Sequence, residues 1–338
     1  MSLGKIFHGP EEEHNDLKAW DEIYNFKTTG IGKKGESRNI TNGVLKWCEW
    51  QAAEGDDADQ RDGQIAQKAA EFISKKQEQP FFLAIGFHKP HDPFIAPKKY
   101  FDMYPLEELE VHNPPEGWSA PYDHTLPNET TVSNKFTEQD KKEFLRSYYA
   151  CTTYMDAQVG KVLDALEKSG QMDNTLIVFF GDHGYHLGEH NWWNKVTLFE
   201  QGTAAPFIAA GQSVGNKGVK SKSMFEFVDI YPTLSEVFDL KNVPSYLEGK
   251  SFKNVLLDPS EPFRTEVRAL IRRGGMFGKS VKNEQWRYVE WDDGNQGVEL
   301  YDQNNDPLEY HNLAEDSKYA DIMSEMKTLL HQVDESKF

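Results

Sequence analysis

Residues 181–195 read GDHGYHLGEHNWWNK and follow directly on the apolar run TLIVFF. Asp182 can offer a carboxylate to a cation, and His183 can add a ring nitrogen or be held in one tautomer by its neighbour. An isolated Asp-His pair also serves as a turn cap with a packed imidazole. The crowding of His186, Glu189, His190 and Lys195 into the same loop tips the balance toward a functional site. His186 and His190 are four apart, but the glycines in GYHLGEH give no assurance of a helix, so both read as loop-packing or rim residues. Lys195, close to Trp192 and Trp193, is either a surface lysine lying over aromatic area or an ammonium that holds an anion as a point charge.

A second polar group stands after the apolar run PFFLAIGF, where the chain continues HKPHDPF. His88, next to the strand and a proline, reads as a brace for the loop. His91 lies farther out and is placed to act as a general acid toward a leaving oxygen. Near the start, GKIFHG (residues 4–9) offers Lys5 and His8 between Gly4 and Gly9, which mark turns.

These groups need a scaffold that brings them to one end. The runs PFFLAIGF (80–87), TLIVFFG (175–181) and APFIAAG (205–211) are short, nearly continuous in apolar residues and bounded by Gly or Pro, as strands buried on both faces are. Helical periods alternate with them. Ile65, Ala69, Phe72 and Ile73 share one face, and Phe144, Tyr148, Cys151, Met155, Val159, Val162 and Leu166 share another, in a helix predicted to start at Thr137 with Asp140 three residues on and to stop near Gly170. The pattern predicts an α/β fold with a mostly parallel central sheet flanked by helices. Ligands then collect beyond the carboxyl ends of the strands, where both polar clusters fall. After residue 260 the texture changes to short alternating runs separated by Gly and Asp, then an amphipathic helix carrying Ile322, Met326, Leu329 and Leu330. The expected division is 1–260, the main α/β domain, and 261–338, a smaller antiparallel sheet with one helix.

Bulk properties narrow the partners. The 338 residues carry 37 basic against 55 acidic side chains, a formal charge of -18, which disfavours wholesale attraction to nucleic acid or anionic lipid. No apolar run reaches the roughly 20 residues a membrane span needs, and residues 1–20 hold no signal-peptide core. Cys48 and Cys151 lie in unrelated contexts and suggest neither a disulfide framework nor a CxxC site.

Taken in order, GKIFHG, PFFLAIGFHKPHDPF, GDHGYHLGEHNWWNK with FEQGTAAPFI, FVDIYPTL, LEGKSF and ELYDQNNDPLEYHNLA resemble the sulfatases of the alkaline phosphatase superfamily, most of all the iduronate-2-sulfatase-like branch. The resemblance implies an alkaline phosphatase-like fold and hydrolysis of a sulfuric ester on a carbohydrate, such as a 2-O-sulfated uronate. It implies that Asp182 and His183 supply part of a divalent-cation site, usually calcium, and that Lys5 and Lys195 clamp sulfate oxygens. His8 would contact the nucleophile, His91 would protonate the departing alcohol, and Lys89, Trp192 and Trp193 would line the sugar side. Many sulfatases have Asn where His183 stands, and calcium prefers oxygen ligands, so the metal's identity is open at that position.

The physical logic agrees, because a sulfate ester's barrier falls when its oxygens meet fixed cations and its leaving oxygen meets a proton donor. Sulfatases attack with a formylglycine made from Cys or Ser in a Cys/Ser-x-Pro/Ala-x-Arg signature. CEWQA at Cys48 and CTTYM at Cys151 do not fit it, so no nucleophile is expected among these residues. The family's signature precedes the GK block, so the fold is expected to be incomplete at its N-terminus, the chain inactive alone, and the exposed sheet surface prone to self-association or to disorder near the site. The full-length protein would be periplasmic, extracellular or lysosome-like. Two alternatives remain open: a phosphate or phosphonate ester hydrolase of the same superfamily, and a non-catalytic glycan-binding protein.

Overall fold

The computed structural model describes residues 1–8, 17–75 and 77–332, which divide into two compact units, Met1–Val111 with Lys135–Asp173 and His112–Asn134 with Asn174–Phe338. The first contains, in chain order and besides shorter helical turns, β1 (Ser2–Gly4), β2 (Ile23–Tyr24), β3 (Gly35–Asn39), β4 (Glu49–Ala53), α1 (Arg61–Ile73), β5 (Ala84–Gly86), β6 (Phe94–Pro97) and α2 (Glu138–Lys168). β1 lies between β2 and β5, parallel to both, with Leu3 opposite Tyr24 and Ile85. Leu3, Ile65 and Ala69 are fully buried together, and Val162 of α2 packs against them, so helices cover this sheet through their apolar positions. A second sheet pairs β4 with β3 antiparallel and with β6 parallel.

Helix α2 starts where the capping box predicts: Asp140 N donates to Thr137 Oγ1 (3.2 Å) and Thr137 N to Asp140 Oδ2 (3.0 Å). It ends at Lys168, with Gly170 supplying the positive φ (70°) just beyond. Its buried stripe is less apolar than the sequence pattern suggests, because Tyr154 and Gln158 are fully buried too. Tyr154 Oη accepts from Gly63 N (2.7 Å) and donates to Asp57 O (3.1 Å), while Gln158 Nε2 reaches Asp57 Oδ2 (3.2 Å). Burial pushes the Asp57 carboxyl up, but Lys161 at 2.6 Å and Lys99 at 2.7 Å outweigh it and bring the pKa to about 2.

The second unit contains β7 (Leu176–Phe180), α3 (Glu200–Thr203), β8 (Phe207–Gly211), α4 (Ile230–Val237), β9 (Val267–Arg273), β10 (Met276–Lys282), β11 (Trp286–Trp291), β12 (Val298–Asp302) and α5 (Ala320–His331), besides other short helical segments such as Lys253–Leu257. The chain has the α/β class read from its sequence, with a separate antiparallel sheet toward the C-terminus. Two of the apolar runs depart from the parallel expectation: β7 and β8 pair with each other antiparallel, Val178 opposite Ala209. A parallel neighbour needs a crossover, usually a full helix, whereas the only helix of more than three residues between these strands is the one-turn α3, so the chain folds back on itself.

The antiparallel sheet has the order β12-β11-β10-β9 and uses both faces. Because side chains alternate along a strand, Tyr288 and Glu290 of β11 point one way and Arg287, Val289 and Trp291 the other. Tyr288 packs with Val281, Leu300 and the α5 residues Met326 and Leu330, and Glu290 bonds His331 Nε2 (2.8 Å). Val289 and Trp291 pack on Leu198 instead. Residues 261–332 are therefore part of the second unit, their sheet forming the floor under the loop between β7 and β8.

Candidate active site

In the first unit, glycines set the ends of β1 and β5. A Cβ on Gly86 would lie 1.8 Å from Lys5 O, and one on Gly4 (φ 73°) 2.4 Å from Gly86 O. Only unsubstituted Cα atoms allow this approach, and it delivers Lys5, whose N donates to Gly86 O (2.8 Å), to the same strand end as the loop 88–93. His8 is exposed, and Gly9 lies outside the described residues.

That loop is organised by a residue the sequence motifs do not reveal. Asp62, 1% exposed in the first turn of α1, accepts His88 N at Oδ1 and Lys89 N at Oδ2, both at 2.9 Å, and His88 Nδ1 approaches Oδ1 at 3.2 Å. His88 is thus the loop brace expected of it. Lys89 does not extend toward a ligand: its ammonium donates to His91 O (2.9 Å) and Pro93 O (2.6 Å), closing the loop around the two cis prolyl bonds Lys89–Pro90 and Asp92–Pro93. An ammonium committed to two carbonyls makes a loop clasp rather than a sugar contact. His91 is half-buried and donates from Nδ1 to Asp92 O (2.7 Å), with Asp92 Oδ1 3.4 Å away, so its ring orientation is set through Nδ1.

The first test of this loop is Asp62→Asn. An amide keeps one acceptor and turns a donor toward the other backbone N–H, so one buried amide loses its partner and stability falls by about 1–3 kcal/mol. Hydrogen exchange at His88 and Lys89 should accelerate selectively; unchanged exchange there would show that Asp62 does not hold the loop.

In the second unit, Asp182 and His183 follow β7. His183 Nδ1 lies 2.8 Å from Gly184 O, a carbonyl that can only accept, so Nδ1 donates there and the ring orientation is set through that bond. Nε2 is 3.5 Å from Asp182 Oδ1. A back-side carbonyl bond of this kind is the usual way a metal-binding imidazole is oriented. The pair fits two positions of a divalent-cation shell. Among the described residues no cluster of three or more His, Cys, Asp or Glu could hold a metal, so these two alone could supply only part of a shell.

His186 and His190 are fully buried packing residues, as their loop suggested. His186 Nε2 bonds Thr197 Oγ1 (2.7 Å), and His190 stacks on Phe199 with ring centroids 3.8 Å apart. Trp192 and Trp193 are 2% and 1% exposed, which corrects their expected place beside a sugar. Both are structural: Trp192 Nε1 donates to Lys195 O (2.9 Å), and the Trp193 ring fills the space a Cβ on Gly188 would meet at 3.2 Å.

The expectation that no nucleophile signature occurs also needs correction, since residues 260–264, SEPFR, carry its letters. Ser260 is occupied in a turn, its Oγ and N bonding Asp258 Oδ1 at 2.7 and 3.0 Å. Arg264 is tied to the buried Asp229 through Nε (2.7 Å) and Nη2 (2.5 Å). The pentapeptide acts as a turn and an ion-pair anchor.

The α/β scaffold with its separate antiparallel sheet has the alkaline phosphatase-like fold. The sulfatase family model matches residues 20–240, and the model for the C-terminal part of N-sulphoglucosamine sulphohydrolase matches 188–336; the chain belongs to the sulfatase family. It is 33% identical to a sulfatase of Formosa agariphila over 98% of this chain and 66% of that one. It is 26% identical to iduronate 2-sulfatase of Mus musculus over 97% of this chain and 76% of the relative. A solved structure described as a complex with D-glucosamine-2-N,6-O-disulfate superposes with a TM-score of 0.70 at 20% identity, over 80% of this chain and 68% of that one. Members of the family generally use a divalent metal and formylglycine. No helix among the described residues is long and apolar enough to cross a membrane.

Proposed function

We propose that this chain is the metal- and substrate-holding portion of a sulfuric ester hydrolase whose substrate is a sulfated carbohydrate, with a 2-O-sulfated uronate as the first candidate. The observation that carries the reading is the Asp182–His183 pair, a carboxylate and an imidazole 3.5 Å apart just beyond β7 in a chain of the sulfatase family. Iduronate 2-sulfatase among the relatives supports the uronate, and the disulfated glucosamine in the solved structure supports a sulfated sugar.

In this reading Asp182 and His183 hold a divalent cation, calcium as first choice, which supplies positive charge to a sulfate oxygen when bound. Lys195 presents an ammonium to the sulfate, and the family resemblance gives Lys5 the same role. His91, oriented by its Nδ1 bond, delivers a proton from Nε2 to the departing alcohol oxygen, and His8 assists the breakdown of the sulfated intermediate. No nucleophile is assigned among these residues, because Cys48 and Cys151 are buried away from solvent and Ser260 is bound in its turn.

The deciding experiment measures sulfate release from a 2-O-sulfated uronate disaccharide and phosphonate release from a phosphonate monoester, using this chain and the product of the complete reading frame. Sulfate release by the complete product alone is expected. A preference for the phosphonate would transfer the chain to the phosphonate hydrolase reading, and equal turnover by both proteins would overturn the external nucleophile.

A further inference from the structure

The turn that carries Lys195 is held in a conformation its sequence resists. Val196 has φ 68°, the left-handed region, which a β-branched residue enters only under constraint from its surroundings. Nothing in its own side chain explains this, since Val196 is 46% exposed. The constraint comes from four bonds to consecutive residues. Asn194 Oδ1 accepts Lys195 N (2.8 Å), Trp192 Nε1 donates to Lys195 O (2.9 Å), His186 Nε2 meets Thr197 Oγ1 (2.7 Å), and Arg273 Nη2 donates to Val196 O (2.6 Å).

The first three partners belong to the same loop, whereas Arg273 is the last residue of β9 and comes from 77 positions away. Its Nε also donates to His124 O (3.2 Å), so the guanidinium bridges two backbone carbonyls at the sheet's edge. A planar fork suits that double role and a lysine does not.

We propose that Arg273 is a positioning residue for Lys195: by gripping the Val196 carbonyl it keeps the turn left-handed and fixes the direction in which Lys195 leaves the backbone. This rests on the reading of Lys195 as a sulfate-holding cation. The C-terminal sheet thereby sets the geometry of an anion-binding group on the loop above it.

The test uses the full 338-residue chain with two readouts, hydrogen exchange of the amides of 195–198 and affinity for inorganic sulfate. Arg273→Gln is expected to speed exchange there about tenfold while leaving the amides of β10 and β11 unchanged, and to weaken sulfate binding about fivefold. Arg273→Lys falls between. Val196→Gly removes the resistance to positive φ without removing a buried contact, so the double variant Val196→Gly/Arg273→Gln should return both readouts toward wild type. A residue that merely supported the fold would not be rescued at Val196.

Unchanged exchange in Arg273→Gln, or failure of Val196→Gly to rescue it, overturns the proposal. If Arg273→Gln does not fold, Val196→Gly alone decides: a raised melting temperature supports the constrained turn, and a lowered one overturns it. Lys195→Ala separates the two readings. If sulfate affinity ignores Lys195→Ala while exchange follows the expected pattern, the grip of Arg273 on the turn stands and the anion role of Lys195 is what falls.

Discussion

Arg287→Met should destabilise the protein by about 3–5 kcal/mol, the usual penalty for stripping the partner from a buried charge. The guanidinium is 3% exposed, its Nε 2.5 Å from Glu309 Oε1, and its Nη2 bonds Glu200. Glu309 is wholly buried and also accepts Glu200 N (2.6 Å) and Gln303 Nε2 (2.6 Å). Burial pushes its carboxyl up and Arg287 holds it down, so removing the guanidinium strands a carboxylate in the interior. Methionine preserves much of the stem's packing, so the loss reports the charge. Adding Glu309→Gln removes the stranded charge and should recover more than about 1 kcal/mol of the deficit. Denaturant unfolding of wild type, both single variants and the double variant checks this; strictly additive losses would mean that the pair is not coupled.

Stability should also fall steeply on mild acidification, because His186 and His190 are folded into the interior as neutral rings. Burial pushes both down, His190 to about 4 and His186 well below its ordinary value, and His190, with ring centroids 5.4 Å apart, further opposes charging of His186. In the unfolded chain both take up protons near pH 6.5. The folded pKa values are lowered, so the contribution is complete above about pH 6.5 and is lost as pH falls toward 4, at about 1.4 kcal/mol per pH unit for each histidine. For His190 alone this amounts to roughly 3 kcal/mol by pH 4. Raised pKa values at the buried Glu299 and Glu309 act in the opposite sense. Comparing wild type with His190→Gln cancels that background: the variant should show a slope between pH 6.5 and 5 shallower by about 1.4 kcal/mol per unit. Superimposable pH profiles would show that His190 is not neutral in the fold.

The sequence was readable wherever chemistry is local. Thr137 with Asp140 announced the start of α2, Gly170 its end, and the apolar runs before Asp182 and His88 announced strands that end in polar groups. The direction of β8 was not local information, since it depends on the lack of a crossover helix in residues 181–206. Lys89 and the two tryptophans show the same limit from the side of chemistry. A lysine in a histidine loop looks available until the loop closes and offers it two carbonyls, and adjacent indoles look like a platform until both are enclosed. Asp62 and Arg273 were invisible for the converse reason. Each is unremarkable among its sequence neighbours, an acid in a helix's first turn and a base at a strand end, and each acts on backbone 26 or 77 positions away.

Neither compact unit is a continuous stretch of polypeptide: residues 112–134 belong with the later unit and Lys135–Asp173 with the earlier one. A nascent chain therefore leaves the ribosome with segments waiting for partners. Thr125 reaches Glu299 and Tyr122 reaches Val298, at separations of 174 and 176 residues, so these two bonds of the 112–134 stretch form only once β12 has been synthesised. Ring closures of that length are entropically slow, and cutting the gene at either crossover yields two incomplete pieces. Circular permutation, which keeps all segments on one strand of peptide, is the rearrangement this connectivity permits.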